Sequence, residues 1–283
     1  MTTSQDTSQD TFQGKVAVIT GASAGIGAGF AEHAASLGMR LVLADIAEDR
    51  LAAVVRALAD QGAEVEGVVT DVSDPASVEA LAERAYERFG TVDLLLNNAG
   101  IMAMGYSWEI PAERWDAMLR INIGGYVNGI RAFVPRLLAQ GGKAWVVNVS
   151  SVGGFLPSPL MAPYSVTKFG TLALTESLAY ELQMKQSDIQ VSVVFPDSVQ
   201  SEIFKVDAPG QEAQPEVAAF NAQLQARADS AGITPLEHAR RCFEQIAEGR
   251  YWVFPQPEMV DAALPARTDM ILGRHNPVLN PNV

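Results

Sequence analysis

Cysteine is almost absent from this chain: Cys242 is the single one among 283 residues. An internal disulfide is thereby excluded, and a framework of the kind that staples small secreted domains is not available. Basic residues are scarce as well. Twenty Lys and Arg stand against thirty-three Asp and Glu, a formal charge of −13, which leaves no electrostatic footprint for nucleic acid or an anionic membrane surface. No apolar run is long enough to span a bilayer, and the N-terminus shows no basic-then-apolar leader pattern. Charged residues make up only 19%, too few for a mostly disordered chain, while 48% hydrophobic residues can fill a large core. His33, His238 and His275 are scattered without ligand spacing, so no metal site is expected. These limits describe a cytoplasmic protein without nucleic-acid or membrane partners.

Short apolar runs recur from Lys15 onward: "KVAVIT", "RLVLAD", "VEGVVTD", "VDLLLNN", "AWVVNVS", "IQVSVVF" and "RYWVF". Their near-continuous apolarity fits strands covered on both faces of a parallel sheet. Amphipathic stretches at 25–37, 48–61, 75–89, 111–139, 163–185 and 235–248 read as helices between them. Repeated strand–helix alternation predicts an α/β fold, a Rossmann-type doubly wound parallel sheet of about seven strands with helices on both faces. The domain is expected over 14–283. Ahead of it, residues 1–13 hold the polar duplication "TSQDTSQD" and read as a disordered tail. Some forty residues after Phe195 lack a strand, and the stretch 197–234 is expected to be a substrate lid carrying Ile203, Phe204, Val206, Phe220 and Leu224. The final "NPVLNPNV" is expected to be extended.

The first strand runs directly into "TGASAGIG", with glycines at 21, 25 and 27. Glycines there allow a tight turn and close backbone approach, and the helix that follows offers free N–H groups to a pyrophosphate. Asp45 ends the second strand, placed to accept hydrogen bonds from ribose hydroxyls and to repel a 2′-phosphate. Neither Ala24 nor Ile46 supplies a cation for that phosphate, so NAD is favoured over NADP. "YSVTK" sets Tyr164 and Lys168 one helical turn apart on one face. An ammonium beside a phenol favours the phenolate and is expected to bring Tyr164 towards working pH. Ser151 and Ser150 both end the fifth strand, where a hydroxyl can reach a substrate oxygen.

The ordered set "TGASAGIG", "DV" at 71–72, "NNAG" at 97–100, Asn122, "NVSS" at 148–151 and "YSVTK" resembles the short-chain dehydrogenase/reductase family, in its compact single-domain branch, over about residues 14 to 255. The resemblance implies Ser151, Tyr164, Lys168 and Asn122 as catalytic residues, its spacing to the tyrosine favouring Ser151 over Ser150. It implies that Asn122 kinks a long helix and holds a water linking the lysine to solvent. For the cofactor it implies Gly21, Ser23, Gly25, Ile26, Gly27, Asp45, Asp71, Val72, Asn98, Ala99, Gly100, Tyr164, Lys168, Pro196, Val199 and Ser201. It also implies a homodimer or homotetramer built across the apolar helices 111–139 and 163–185. One position departs from the family pattern: "FPDSVQS" puts Asp197 where glycine is usual.

The activity expected is NAD-dependent interconversion of a secondary alcohol and a ketone, with Tyr164 as acid and base. The stretch "GGFLPSPLMAP" with Met102, Met104 and Trp108 is expected to wall a bulky hydrophobic or aromatic substrate. Two other readings stand beside it. A sugar-nucleotide epimerase or dehydratase would share the Tyr/Lys pair but space its glycines differently. A non-catalytic NAD(H)-sensing scaffold would be expected to have lost Ser, Tyr or Lys.

Overall fold

The structure, a computed structural model, describes residues 4–201, 203 and 214–279. Seven strands, β1 Val16–Thr20, β2 Arg40–Asp45, β3 Val65–Val69, β4 Leu94–Asn97, β5 Ala144–Val149, β6 Ile189–Val194 and β7 Trp252–Val253, pair in the order β3-β2-β1-β4-β5-β6-β7. Every pairing is parallel. The order reverses direction between β1 and β4, which opens a crevice at the carboxyl ends of those strands.

Residues along each strand feed two cores in alternation, as the pleat requires. Ala17, Ile19, Leu41 and Leu43 join α2 (Gly25–Ser36), α3 (Glu48–Asp60) and α9 (Pro235–Ala247). Val16, Val18, Val42 and Ala44 join α4 (Pro75–Phe89), α6 (Gly125–Gln140) and α7 (Ala162–Met184) on the opposite face. Burial on both faces explains the uninterrupted apolar runs. Helix ends follow local chemistry: Asp74 accepts the N–H of Ala76 ahead of Pro75, and Thr234 accepts that of Glu237 ahead of Pro235. Gly90 closes α4 in the left-handed region at φ +73°. The turns holding Gly62, Gly90, Gly141 and Gly142 all lie at the amino ends of β3, β4 and β5, and a Cβ on any of them would meet nothing within 4 Å.

Two expectations are corrected, and two further helices are added to what was expected. Ser4–Phe12 forms a helix, α1, where a disordered tail was expected. A polar helix this short is marginal alone, but tertiary packing carries it. Phe12 is fully buried, its ring 5.2 Å from that of Trp145 and 5.0 Å from that of Phe243. The single helix expected over 111–139 is three segments: α5 (Ala112–Leu119), a π-helical turn Arg120–Gly124, and α6. The expected lid contains α8 (Pro215–Ala231), joined to the rest by a bridge between Val199 and Ile233, while Phe204 and Val206 lie outside the described residues. Finally, α10 (Glu258–Leu272), which carries Pro265 in its interior, was not among the expected helices.

Candidate active site

Above the carboxyl rim of the sheet lies a cavity of about 1250 Å³. At one end the turn between β1 and α2 forms its floor. Gly21 adopts φ +66°, and a Cβ there would stand 2.8 Å from Ala99 Cα. A Cβ on Gly27 would lie 1.9 Å from the Gly21 carbonyl oxygen, so only glycine lets α2 start this close to β1. Ala24 precedes α2 without a side-chain acceptor, leaving the first-turn N–H groups to meet an anion.

Asp45 is held from two sides, its oxygens accepting from the N–H of Ser23 at 3.0 Å and of Ala47 at 2.9 Å. Asn98 ties β4 to the glycine turn, donating to the carbonyls of Thr20 at 3.0 Å and Gly21 at 3.2 Å. Asp71 accepts from Ser73 N–H, and Asn128 donates to the Val72 carbonyl. Every cofactor-contact residue expected from the sequence lines this one cavity, as do Ser151, Tyr164 and Lys168.

Tyr164 and Lys168 sit one turn apart near the start of α7, both buried. Ser151 caps the short turn after β5, its Oγ accepting from Gly153 N–H at 3.1 Å and sharing a hydrogen bond with the Tyr164 phenol. Ser150 points elsewhere, its hydroxyl donating to the Lys168 carbonyl at 2.9 Å. The geometry therefore separates the two serines. Lys168 Nζ donates to the Val149 carbonyl at 2.9 Å and lies 5.6 Å from the centre of the Tyr164 ring. The same carbonyl accepts from Tyr126 Oη at 2.8 Å.

The phenol's shift runs opposite to expectation. Burial raises Tyr164 above its ordinary value, and the hydrogen bond with Ser151 only opposes this. Burial also brings Lys168 down to about 7, so much of the positive charge expected to help the phenol is lost.

Asn122 does not line the cavity. Buried in the π-helical turn, its side chain accepts from Ile101 N–H at 2.8 Å and donates to the Ile101 carbonyl at 2.9 Å and to Thr167 Oγ1 at 3.2 Å. It thus fastens the segment after "NNAG" to α7, beneath Tyr164. Met102, Leu156 and Met161 do line the cavity, whereas Trp108 is 78% exposed and stacked on Tyr106 outside it. Trp108 is removed from the substrate wall: its loop turns outward after the Gly105 N–H meets the Leu160 carbonyl.

Sequence reasoning missed the far wall. Met259, Ala262, Ala263, Ala266, Arg267 and Met270 present one face of α10, and Gln223 and Arg227 of α8 stand beside Phe220 and Leu224. Asp197 accepts from Arg227 Nη2 at 2.8 and 3.1 Å. The signal was there in α10, whose apolar and small residues recur at helical spacing on either side of Pro265. Among the described residues no cluster of His, Cys, Asp or Glu could hold a metal ion.

A family model described as "short chain dehydrogenase" matches residues 15–212. The chain belongs to the short-chain dehydrogenase/reductase family. A solved family member from Burkholderia phymatum, in complex with NAD, superposes with a TM-score of 0.90 at 41% identity, covering 95% of this chain and 98% of that one. The CLA biosynthesis dehydrogenase/reductase of Lactiplantibacillus plantarum is 34% identical over 256 residues, 87% of this chain and 90% of the relative. The 1-deoxy-11-beta-hydroxypentalenate dehydrogenase of Streptomyces avermitilis is 39% identical over 189 residues, 66% of this chain and 69% of its own length. As a member of this family the chain is an oxidoreductase with a nucleotide-binding Rossmann-type fold.

Proposed function

We propose that this protein is an NAD-dependent dehydrogenase or reductase interconverting a bulky hydrophobic secondary alcohol and its ketone. The observation that carries the reading is the meeting of Ser151, Tyr164 and Lys168 in one cavity with a glycine-floored dinucleotide cradle. The cradle fits the cofactor: Gly21 and Gly27 leave no room for a Cβ, and α2 offers unpartnered N–H groups. Asp45 supports NAD over NADP. Its carboxylate is fixed by Ser23 and Ala47 with lone pairs to spare for ribose hydroxyls, and it would oppose a 2′-phosphate. The Burkholderia phymatum relative with NAD bound supports the same choice.

When bound, the nicotinamide supplies the two-electron redox chemistry at the carbinol carbon. The chain supplies position and the proton. Ser151 Oγ, fixed by Gly153, donates to the substrate oxygen. In reduction the Tyr164 phenol gives its proton to that oxygen, and in oxidation the phenolate takes it back. Lys168 steadies the phenolate once it is charged. Asn122 and Val149 position these groups from behind.

Enclosure by Met102, Leu156, Met161, Phe220 and Leu224 favours an apolar substrate. The intact triad speaks against a sensing scaffold, and the Gly-x-x-x-Gly-x-Gly spacing against a sugar-nucleotide epimerase. Leu119, Leu138, Val166, Tyr180 and Met184 remain exposed on α5, α6 and α7, which supports a homodimer or homotetramer through these helices. Light scattering at micromolar concentration would show a monomer if that is wrong. The protein is proposed to act in the cytoplasm; no helix among the described residues is long and apolar enough to cross a membrane.

The decisive experiment follows cofactor absorbance with a panel of secondary alcohols and ketones. Tyr164→Phe should lower kcat by about 10²- to 10⁴-fold with NADH binding retained. Unchanged turnover in Tyr164→Phe would end the acid–base assignment.

A further inference from the structure

The wall formed by α10 carries a cation, Arg267, that no carboxylate among the described residues pairs. Arg267 lines the cavity, half-buried, with its guanidinium carbon 5.5 Å from the centre of the Phe169 ring. Its neighbours one turn away on α10 are Ala263, Leu264, Met270 and Ile271, so no carboxylate can reach it along the helix. Asp261 and Asp269 sit exposed on other faces of α10. Among the described residues Arg267 forms no ion pair, whereas nearby Arg227 is occupied by Asp197.

A half-buried cation beside an apolar wall keeps part of its hydration, and a carboxylate brought against it would add a charge-assisted hydrogen bond. Stacking on Phe169 holds the guanidinium plane while leaving its edge donors free, and that edge matches a carboxylate in bidentate fashion. Around it the wall is Met259, Ala263, Met270 and, across the cavity, Leu224.

From this we infer that the physiological substrate is an amphiphilic oxo or hydroxy acid: an apolar body in the cavity, with a carboxylate on Arg267. The inference rests on the proposed redox reading of the cavity and adds the substrate's charge to it. Arg267 is then a specificity-determining residue that contacts the end of the substrate distant from the reacting carbon.

The test measures binding, not turnover, so its outcome is separate from that of Tyr164→Phe. Decanoate, methyl decanoate and decanol are titrated calorimetrically into NADH-saturated full-length protein. Decanoate should bind about tenfold more tightly than its methyl ester, the yield of one exposed charge-assisted contact. Arg267→Gln should abolish that preference while leaving methyl decanoate affinity and the melting temperature close to wild type, and Arg267→Lys should restore part of it. Equal affinity for acid and ester, no binding of decanoate, or a preference that survives Arg267→Gln would each overturn the assignment. If the glutamine variant melts early, charge dependence is read from wild type against Arg267→Lys, where an unchanged preference ratio also overturns the bidentate contact.

Discussion

Asp197 receives Arg227 Nη2 on both of its oxygens, and the pair joins the end of β6 to the middle of α8. Burial raises the Asp197 carboxyl above its usual range, Arg227 opposes this and Glu258 adds to it. The residue standing in glycine's place is therefore a tether for the expected lid.

Arg227→Ala should raise KM for the ketone more than it lowers kcat, because Phe220, Gln223 and Leu224 of α8 line the cavity. It leaves a half-buried carboxylate unpaired, so it should be more harmful than Arg227→Ala combined with Asp197→Asn. With Arg227 41% exposed, a coupling energy of about 1 kcal/mol is expected from a double-mutant cycle. A coupling of zero removes the tether.

The adjacent serines should behave differently. Ser151→Ala removes a donor to the substrate oxygen and should cost about 10²-fold in kcat. Ser150→Ala removes the bond to the Lys168 carbonyl and should appear mainly as about 1 kcal/mol of lost stability. Steady-state kinetics and denaturant titration on both variants would expose a reversed assignment.

Cofactor choice is expected to follow Asp45. Asp45→Asn with Ala24→Arg should shift the ratio of kcat/KM for NAD over NADP by about 100-fold or more towards NADP, two charge changes of about 1.4 kcal/mol each. A ratio that does not move would place discrimination elsewhere, with Arg50 of the same cavity the next residue to test.

Stability should fall in mild acid before the carboxylates titrate. Burial depresses His33 to about 4 and His238 to about 3, from an ordinary 6.5. Since the folded values lie below the unfolded one, their contribution is whole above pH 6.5 and is lost as pH falls towards 4. Between 6.5 and 4.5 each histidine should cost up to about 1.4 kcal/mol per pH unit. Urea midpoints across that range should flatten in His238→Leu; an unaltered slope would contradict it.

Phe12 gives a further stability test. Phe12→Ala opens a cavity between Trp145 and Phe243 and should cost about 3–5 kcal/mol. A tail without structural importance would show no change in melting.

Much of this was legible because parallel strands buried on both faces write themselves as apolar runs, and because each site residue falls at a strand end or one helical turn from another. Asp45, Ser151 and Tyr164 come together for that reason. What escaped depended on contacts distant in sequence. The repeat before Phe12 reads as polar tail until Trp145 and Phe243 are seen beneath it. The resemblance implied a kink at Asn122, but nothing in "RINIG" announces that its side chain will grip the Ile101 backbone. The tyrosine's environment was misjudged for a related reason: spacing shows that Lys168 is near, but not that both groups are withdrawn from water. Arg267 escaped because only the fold brings α10 over the cavity.

The small turns at Gly62, Gly90 and Gly141–Gly142 face away from all of this chemistry, with empty space around them. They make that pole of the molecule the natural place for a fluorophore, an affinity handle or attachment to a solid support, where the enzyme should turn over as freely as it does in solution.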